Sequence, residues 1–184
     1  MYISSDTNIW IDFYEIGHIN HPFKLNYKYF ISEETYNDEF CKTNTLYDEL
    51  RELGLQTTEL TEEEVGIAFH YHEIYRKLSL YDAFALAIAK NRDWTLLTGD
   101  MPLRKAAIKE GIEVHGTIWI YDQLKEQELI SETEYFDAID QMISATKKGK
   151  CRFPMEELFL RKNTKPWEDT IHIEEYNKIT TMIP

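Results

Sequence analysis

The strongest structural signal in this chain is the stretch SLYDAFALAIAKNRDWTLLTGD, residues 79–100. It opens with a serine followed three residues later by Asp82, the spacing of a capping box at a helix start. Residues 83–89 are apolar almost all round, so this helix is expected to be buried. The apolar run 94–97 then reads as a strand, and Asp100 follows at its carboxyl end. Together they predict an α/β domain.

The same alternation of strands and helices continues in both directions from this stretch. The predicted strands are residues 1–5, 27–31, 55–60, 94–97 and 112–115. The predicted helices are residues 8–14, a segment from 33 capped by Ser32, 45–53, 62–77, 80–89, 103–110, 117–127, 131–146 and 153–160. Strands that alternate with helices predict a parallel sheet covered on both faces.

Three acidic residues lie beside the buried elements of this sheet. Asp6 and Asp100 each follow a predicted strand, and ligands of parallel sheets bind at the carboxyl ends of the strands. Carboxylates suit hard cations such as Mg²⁺ and Mn²⁺. At about 5 Å and an effective dielectric constant near 20, two carboxylates repel by about 3 kcal/mol, which a divalent cation relieves. Asp6, Asp82 and Asp100 therefore predict a divalent-metal site suited to phosphodiester chemistry.

Each of these acids also has a purely structural interpretation. Asp6 is placed to cap the helix or turn that follows it, and Asp82 is placed to complete the capping box of Ser79. Asp100 is placed as a turn residue after Gly99. The three acids together, each beside one sheet, favour the metal site over three separate caps.

Composition limits the classes of protein that the chain can belong to. The 184 residues carry a net charge of −13, which argues against non-specific binding of nucleic acid through a broad basic face. A nuclease remains compatible, since metal ions offset clustered acids and a local basic patch can hold phosphates. We expect a domain over residues 1–148 and a C-terminal extension over 149–184, a peripheral helix and tail.

The expected location is the cytoplasm. No apolar run approaches the ~20 residues needed to cross a membrane, and the N-terminal segment is not a signal peptide. Cys41 and Cys151 have no metal-ligand spacing and are too few for a disulfide scaffold, so a reducing compartment is the default.

Three stretches of the sequence, taken together, resemble the PIN domain family of metal-dependent ribonucleases. Asp6-Thr7-Asn8 matches the family pattern of a first Asp followed by Thr-Asn. Residues 78–89 match a Leu-Ser pair, an Asp and an Ala-rich helix, and residues 96–100 match an apolar strand followed by Thr, Gly and Asp. Residues 111–129 resemble the later part of PIN proteins from bacterial toxin–antitoxin loci. The resemblance covers about residues 1–145.

The resemblance implies a three-layer α/β/α sandwich with a central parallel sheet. It also implies Mg²⁺ or Mn²⁺ as cofactor, RNA as substrate, and cleavage that leaves a 5′-phosphate and a 3′-hydroxyl. Toxin-type members imply an antitoxin protein as partner, and a homodimer is a further option.

The family has a further acid, usually Glu, on the helix after the second strand. Here Tyr36 and Phe40 share the inward face of that helix, which puts Glu39 at the edge of the face. An acid followed by a large apolar residue also favours Glu39, whereas a gapless match from the second strand selects Asp38. Glu33 and Glu34 are interpreted as partners of the helix dipole.

The predicted metal ligands and catalytic residues are Asp6, Glu39, Asp82 and Asp100, with Asp38 as the alternative to Glu39. Asn8 and Thr98 are expected to orient the carboxylates, because amide and hydroxyl groups do so around metal sites. Local turn hydrogen bonds are the plainer interpretation of both residues.

The function predicted from these residues is a metal-dependent endoribonuclease, with the toxin of a toxin–antitoxin pair as a narrower form. The alternative is a non-catalytic PIN-fold module that binds RNA or protein, in which one or more acids would point away from the pocket. A third class is a nucleotide-binding protein or phosphatase. It calls for a glycine-rich turn or a second Asp two residues after Asp6, where Asn8 stands.

Overall fold

The computed structural model describes residues 1–40 and 45–163 of the chain. Within them, the strands are β1 (Tyr2–Ser5), β2 (Lys28–Ser32), β3 (Gln56–Thr58), β4 (Thr95–Leu97) and β5 (Val114–His115). Every neighbouring pair is parallel, and the order across the sheet is β3-β2-β1-β4-β5. β2 and β3 lie on one side of β1, and the chain then crosses so that β4 and β5 lie on its other side. The switch point of the sheet therefore lies between β1 and β4.

Helices connect these strands along the chain. They are α1 (Thr7–Glu15), α2 (Glu33–Thr35), α3 (Thr45–Leu53), α4 (Glu62–Ile74), α5 (Leu80–Arg92), α6 (Met101–Lys109), α7 (Thr117–Glu126), α8 (Glu132–Lys147) and α9 (Met155–Asn163). A π-helical turn, Tyr36–Phe40, continues α2, and Pro22–Lys24 forms a short 3-10 turn. The predicted alternation is confirmed. Several boundaries differ from the prediction: the helix predicted to reach Lys77 ends at Ile74, whereas the helix predicted to end at Ala89 continues to Arg92.

The two faces of the sheet are covered by different helices. Successive residues of a strand point to opposite faces, and Ser4 and Ser5 on β1 show where each face packs. The Ser4 hydroxyl donates to the Ala85 carbonyl of α5 at 2.9 Å, whereas the Ser5 hydroxyl accepts the indole N–H of Trp10 in α1 at 3.0 Å. One buried cluster joins α4, α5 and α6, and the other joins α1, α7 and α8. The predicted three-layer α/β/α sandwich is confirmed.

A capping box begins both α4 and α5, and a buried ion pair holds the two helices together. Ser79 and Asp82 form the box at the start of α5, and Thr61 and Glu64 form the one at the start of α4. The Glu64 side chain is completely buried and accepts the Arg92 Nε–H at 2.6 Å. Since the acid that caps α4 is also bound by α5, the first turn of one helix is fixed to the last turn of the other.

The described part of the C-terminal extension, residues 149–163, packs against the same core as α1, α7 and α8. Cys151, Phe153 and Leu158 are buried in that cluster, and the Arg161 guanidinium forks onto the Asp122 carboxylate of α7 at 2.6 Å. Cys151 is a free thiol, whereas Cys41 and residues 164–184 lie outside the described residues. The division at residues 148 and 149 stays a prediction.

Helices of the membrane-spanning type are absent from the described part of the chain. None of the helices there has both the length and the apolar character that crossing a bilayer requires.

Candidate metal centre

Asp6 and Asp100 flank the switch point of the sheet. Asp6 follows β1 directly, and its backbone N–H donates to the Leu97 carbonyl at the end of β4 at 3.0 Å. Asp100 lies three residues beyond Leu97, at the start of α6. The carboxyl ends of β1 and β4 therefore bring both acids to the edge of the sheet where ligands of open α/β proteins bind.

The Asp6 carboxyl group is nearly buried, with only 8% of the residue exposed. Its side chain makes no capping hydrogen bond to α1. Instead, Asp6 Oδ2 accepts the Thr98 hydroxyl at 2.9 Å and the Asn8 side-chain amide at 3.4 Å. Burial, followed by the negative charge of Asp82, raises the pKa of Asp6 to about 7, although the bonds from Thr98 and Asn8 oppose this.

Thr98 joins the two sides of the switch point. It is completely buried, and its hydroxyl accepts the backbone N–H of Asp100 at 3.0 Å while donating to Asp6. Its own backbone N–H donates to the His115 carbonyl of β5 at 2.9 Å. Thr98 and Asn8 therefore both contact the Asp6 carboxylate, while Asn8 lies at the exposed surface.

Asp82 lies on the first turn of α5 and forms the predicted capping box. Its Oδ2 accepts the Ser79 backbone N–H at 2.7 Å, and its own N–H donates to the Ser79 hydroxyl at 3.0 Å. Burial raises the pKa of Asp82, the Ser79 bonds lower it, and the charge of Asp100 raises it further. Asp82 is therefore a cap that also experiences the negative charge of a second acid.

Asp100 caps α6, which differs from the turn residue after Gly99 that its structural interpretation predicts. Its Oδ1 accepts the Leu103 backbone N–H at 2.9 Å. Neither Asp100 Oδ2 nor Asp82 Oδ1 accepts a hydrogen bond from the described residues. Capping thus occupies one oxygen of each carboxylate and leaves the other oxygen available to a ligand.

Three acids on the segment after β2 are candidates for the fourth metal ligand. The Tyr81 hydroxyl donates to Asp38 Oδ2 at 2.8 Å, so the Asp38 carboxylate is bound by a side chain from the first turn of α5. Glu39 falls within the π-helical turn, but its side chain is outside the described part of the structure. The sequence pattern predicts Glu34 as a partner of the helix dipole. Its Oε2 is nevertheless buried and has no hydrogen-bond partner within that described part.

The predicted acids interact electrostatically, but in the described residues they do not form a complete set of metal ligands. The charge of Asp82 raises the pKa of Asp6, and the charge of Asp100 raises that of Asp82. Across residues 1–40 and 45–163, no three His, Cys, Asp or Glu side chains form a group that could hold a metal ion as they stand.

Sequence reasoning missed one further acid, Asp12 on α1. Its Oδ2 lies 3.3 Å from the position that a Cβ on Gly99 would occupy, and it accepts the Thr117 hydroxyl at 3.4 Å. Burial raises the pKa of Asp12 to about 6, while hydrogen bonds from Cys151 and Thr117 oppose the rise. The available signal was an acid within the otherwise apolar run 9–13.

These features define an α/β/α domain with carboxylates at the switch point of a parallel sheet. A family model described as PIN domain matches residues 2–154. The chain therefore belongs to the PIN domain family, as its resemblance to that family predicts. Members of this family are typically nucleases, typically bind RNA and generally use divalent metal ions.

A solved structure similar to this chain is a PilT N-terminus domain protein from the hyperthermophilic archaeon Sulfolobus solfataricus. The two are 16% identical with a TM-score of 0.49, and the match covers 65% of this chain and 90% of the archaeal one. Comparison with curated proteins finds no significant match.

Proposed function

We propose that this protein is an endoribonuclease that depends on Mg²⁺ or Mn²⁺. The observation that carries the proposal is the electrostatic chain from Asp6 through Asp82 to Asp100 at the switch point of the sheet. A carboxylate whose pKa is raised by a neighbouring negative charge at a ligand-binding edge costs stability until a cation or a proton neutralises it. A divalent cation bound there supplies polarisation of a phosphate and lowers the pKa of water.

The residues fit such a cation in their chemistry. Carboxylate oxygens are the ligands that Mg²⁺ and Mn²⁺ prefer, and Asp82 and Asp100 each keep one oxygen without a hydrogen bond from the described residues. Asp6, Asp82 and Asp100 would hold the ion, together with a fourth acid from Asp38 or Glu39. The hydrogen bond from Tyr81 supports Asp38.

The surrounding residues of the chain would keep the carboxylates oriented. The Thr98 hydroxyl and the Asn8 amide both donate to Asp6, which favours its ionised form and restrains its rotation. The Ser79 backbone restrains Asp82, and the start of α6 restrains Asp100. These bonds would reduce the reorganisation that substrate binding requires.

The experiment that tests the proposal compares two helix caps. Asp82→Asn removes the charge from the box at the start of α5. Glu134→Gln is the matched control, because Glu134 accepts the Ser131 backbone N–H at 2.7 Å in the same motif at the start of α8. We expect Asp82→Asn to abolish Mn²⁺-dependent cleavage of RNA and Glu134→Gln to retain it.

Unchanged cleavage by Asp82→Asn would remove Asp82 from the site. If the wild-type protein binds RNA but no divalent ion supports cleavage, the alternative of a non-catalytic PIN-fold binding module replaces the nuclease.

The narrower proposal is that the protein is the toxin of a toxin–antitoxin pair, held inactive by an antitoxin that covers the acidic edge. A homodimer would be compatible with this role. The test is induced expression of wild type and Asp82→Asn in a bacterial host. Growth arrest by wild type alone supports the toxin, and harmless strong expression of active protein contradicts it.

A further inference from the structure

Arg104 projects from α6 into the notch between the ends of β4 and β5. Side chains of a helix tilt towards its N-terminus, so Arg104 reaches back over the first turn of α6. Its Nη1 donates to the Thr98 carbonyl at 3.2 Å. A Cβ on Gly116 would lie 3.2 Å from the same nitrogen, so the absence of a side chain at Gly116 leaves room for the guanidinium.

Among the described residues, no acid forms an ion pair with Arg104. Arg92 and Arg161 each fork onto a carboxylate, that of Glu64 and that of Asp122. Arg104 forms no ion pair with the residues that the structure describes, although the cap residue of its own helix is Asp100. A guanidinium has five N–H donors, and the Thr98 carbonyl is the acceptor that Arg104 has among those residues.

Thr98 fixes the position of the Arg104 guanidinium relative to the Asp6 carboxylate. The Thr98 hydroxyl donates to Asp6, and the Thr98 carbonyl accepts from Arg104. Because Thr98 is completely buried within the strand ends, the carboxylate and the guanidinium are anchored on the same rigid point. An arginine that forms no ion pair within the described residues and shares the Thr98 anchor with the Asp6 carboxylate is available to bind an anion that arrives with the substrate.

A phosphodiester is the anion that suits this arrangement. The planar guanidinium binds two phosphate oxygens at once, which a lysine ammonium does not. A chain with a net charge of −13 repels RNA at long range, so it requires a local cation where the phosphate must approach the acids. We propose that Arg104 binds the RNA phosphate at the acidic edge of the sheet. This assignment rests on the proposed ribonuclease function.

A purely structural role for Arg104 makes a different prediction. If Arg104 only ties α6 to Thr98, a neutral donor at this position should serve equally well. Arg104→Gln keeps an N–H group that can reach a carbonyl but removes the charge, and Arg104→Lys keeps the charge but not the fork. Lys105→Gln is the matched control, because it removes the same charge from the neighbouring, exposed position of α6.

The experiment measures binding of a short single-stranded RNA oligonucleotide as a function of salt concentration. All variants carry Asp82→Asn so that the RNA stays intact. We expect Arg104→Gln to weaken binding about tenfold and to reduce the salt slope by about 0.7, the loss of one phosphate contact. Arg104→Lys should restore the slope and part of the affinity, and Lys105→Gln should match the parent. The melting temperature of Arg104→Gln should equal that of the parent.

Equal effects of Arg104→Gln and Lys105→Gln, or an unchanged salt slope in Arg104→Gln, would overturn the assignment. Absence of RNA binding by the parent would overturn it as well. A second measurement distinguishes failure of the Arg104 assignment from failure of the nuclease proposal. In the otherwise wild-type protein, cleavage that persists with an unchanged KM in Arg104→Gln rejects Arg104 alone. Arg104-dependent binding without cleavage by the wild type rejects the nuclease and keeps the phosphate contact.

Discussion

The Thr98 hydroxyl lies 2.9 Å from Asp6 Oδ2 and donates to it across the switch point between β1 and β4. The same hydroxyl accepts the backbone N–H of Asp100 at 3.0 Å. One buried side chain therefore sets the distance between the acid that follows β1 and the acid that follows β4. In these two bonds the hydroxyl acts once as donor and once as acceptor.

Thr98→Val tests this bridge, because valine keeps the shape but loses the hydroxyl. We expect the pKa of Asp6 to rise further and RNA cleavage to fall about 10–100-fold, as for other residues that orient metal ligands. The free energy of unfolding should fall by about 1–3 kcal/mol, since the Asp100 N–H loses its acceptor. Urea unfolding and a nuclease assay measure both effects. Thr98→Ser is the control and should retain activity; if valine is as active as serine, the bridge is not needed.

The raised pKa of Asp6 predicts that stability falls with pH in the absence of metal. The native state holds the proton up to about pH 7, whereas the unfolded state releases it near 3.8. Between these values the native state binds more protons, so the free energy of unfolding decreases as pH rises. Urea unfolding in a chelator at pH 5 and pH 8 measures this loss, which we expect to be a few kcal/mol at most.

Asp6→Asn should flatten this pH dependence more than Asp12→Asn does, because burial raises the pKa of Asp6 to about 7 and that of Asp12 only to about 6. Mg²⁺ or Mn²⁺ at pH 8 should restore stability to wild type and not to Asp6→Asn, because the cation replaces the proton. A pH slope that is identical in wild type and Asp6→Asn would show that Asp6 titrates as in an unfolded chain.

The fourth acid can be assigned by three charge-removing substitutions. Because the Tyr81 hydroxyl holds Asp38 beside α5, we expect Asp38→Asn to lower RNA cleavage about tenfold or more. Glu39→Gln should have a smaller effect, and Glu34→Gln tests the acid whose buried Oε2 has no hydrogen-bond partner among the described residues. Metal titration followed by thermal shift gives a readout besides activity. A larger loss in Glu39→Gln would assign the position to Glu39.

Shortening the chain tests how the C-terminal extension contributes to the domain. Removal of residues 149–184 deletes Phe153 and Leu158, which are buried in the core shared by α1, α7 and α8. Burial of each side chain is worth about 2–3 kcal/mol, so we expect the free energy of unfolding to fall by about 4 kcal/mol or more. Removal of residues 164–184 alone keeps these contacts and should leave the urea midpoint unchanged. Equal midpoints for the two shortened chains would mean that residues 149–163 do not stabilise the fold.

Much of the architecture could be predicted because its signals are local. The apolar run 83–89 with its serine cap predicts a buried helix without knowledge of any other segment, and α5 is buried there. The same holds for the strands, whose short apolar runs end at turn residues. The predicted end of α4 was less accurate, because residues 74–77 contain no glycine or proline to mark a boundary.

The location of the site could be predicted because acids that follow parallel strands lie at one edge of the sheet. Asp6 and Asp100 follow strands, and parallel strands bring their carboxyl ends to one edge. Thr98 is expected from the sequence to orient the carboxylates, but its bridge from Asp6 to the Asp100 N–H and the bond from Arg104 to its carbonyl were harder to predict. A hydroxyl that bridges two acids and a guanidinium anchored on a carbonyl depend on side chains that are distant in sequence. Local propensity carries no information on such pairs.

The sequence by itself therefore determined the succession of strands and helices, the acids at the strand ends and membership of a family. Those features depend on backbone preferences and apolar periodicity, which act over a few residues. Only the tertiary structure decided which strands are neighbours, and hence that the Asp6 carboxylate and the Asp100 backbone N–H both bond to the Thr98 hydroxyl. It also decided that Tyr81 bonds Asp38 and that Arg104 bonds the Thr98 carbonyl, because these contacts arise only when the helices close over the sheet.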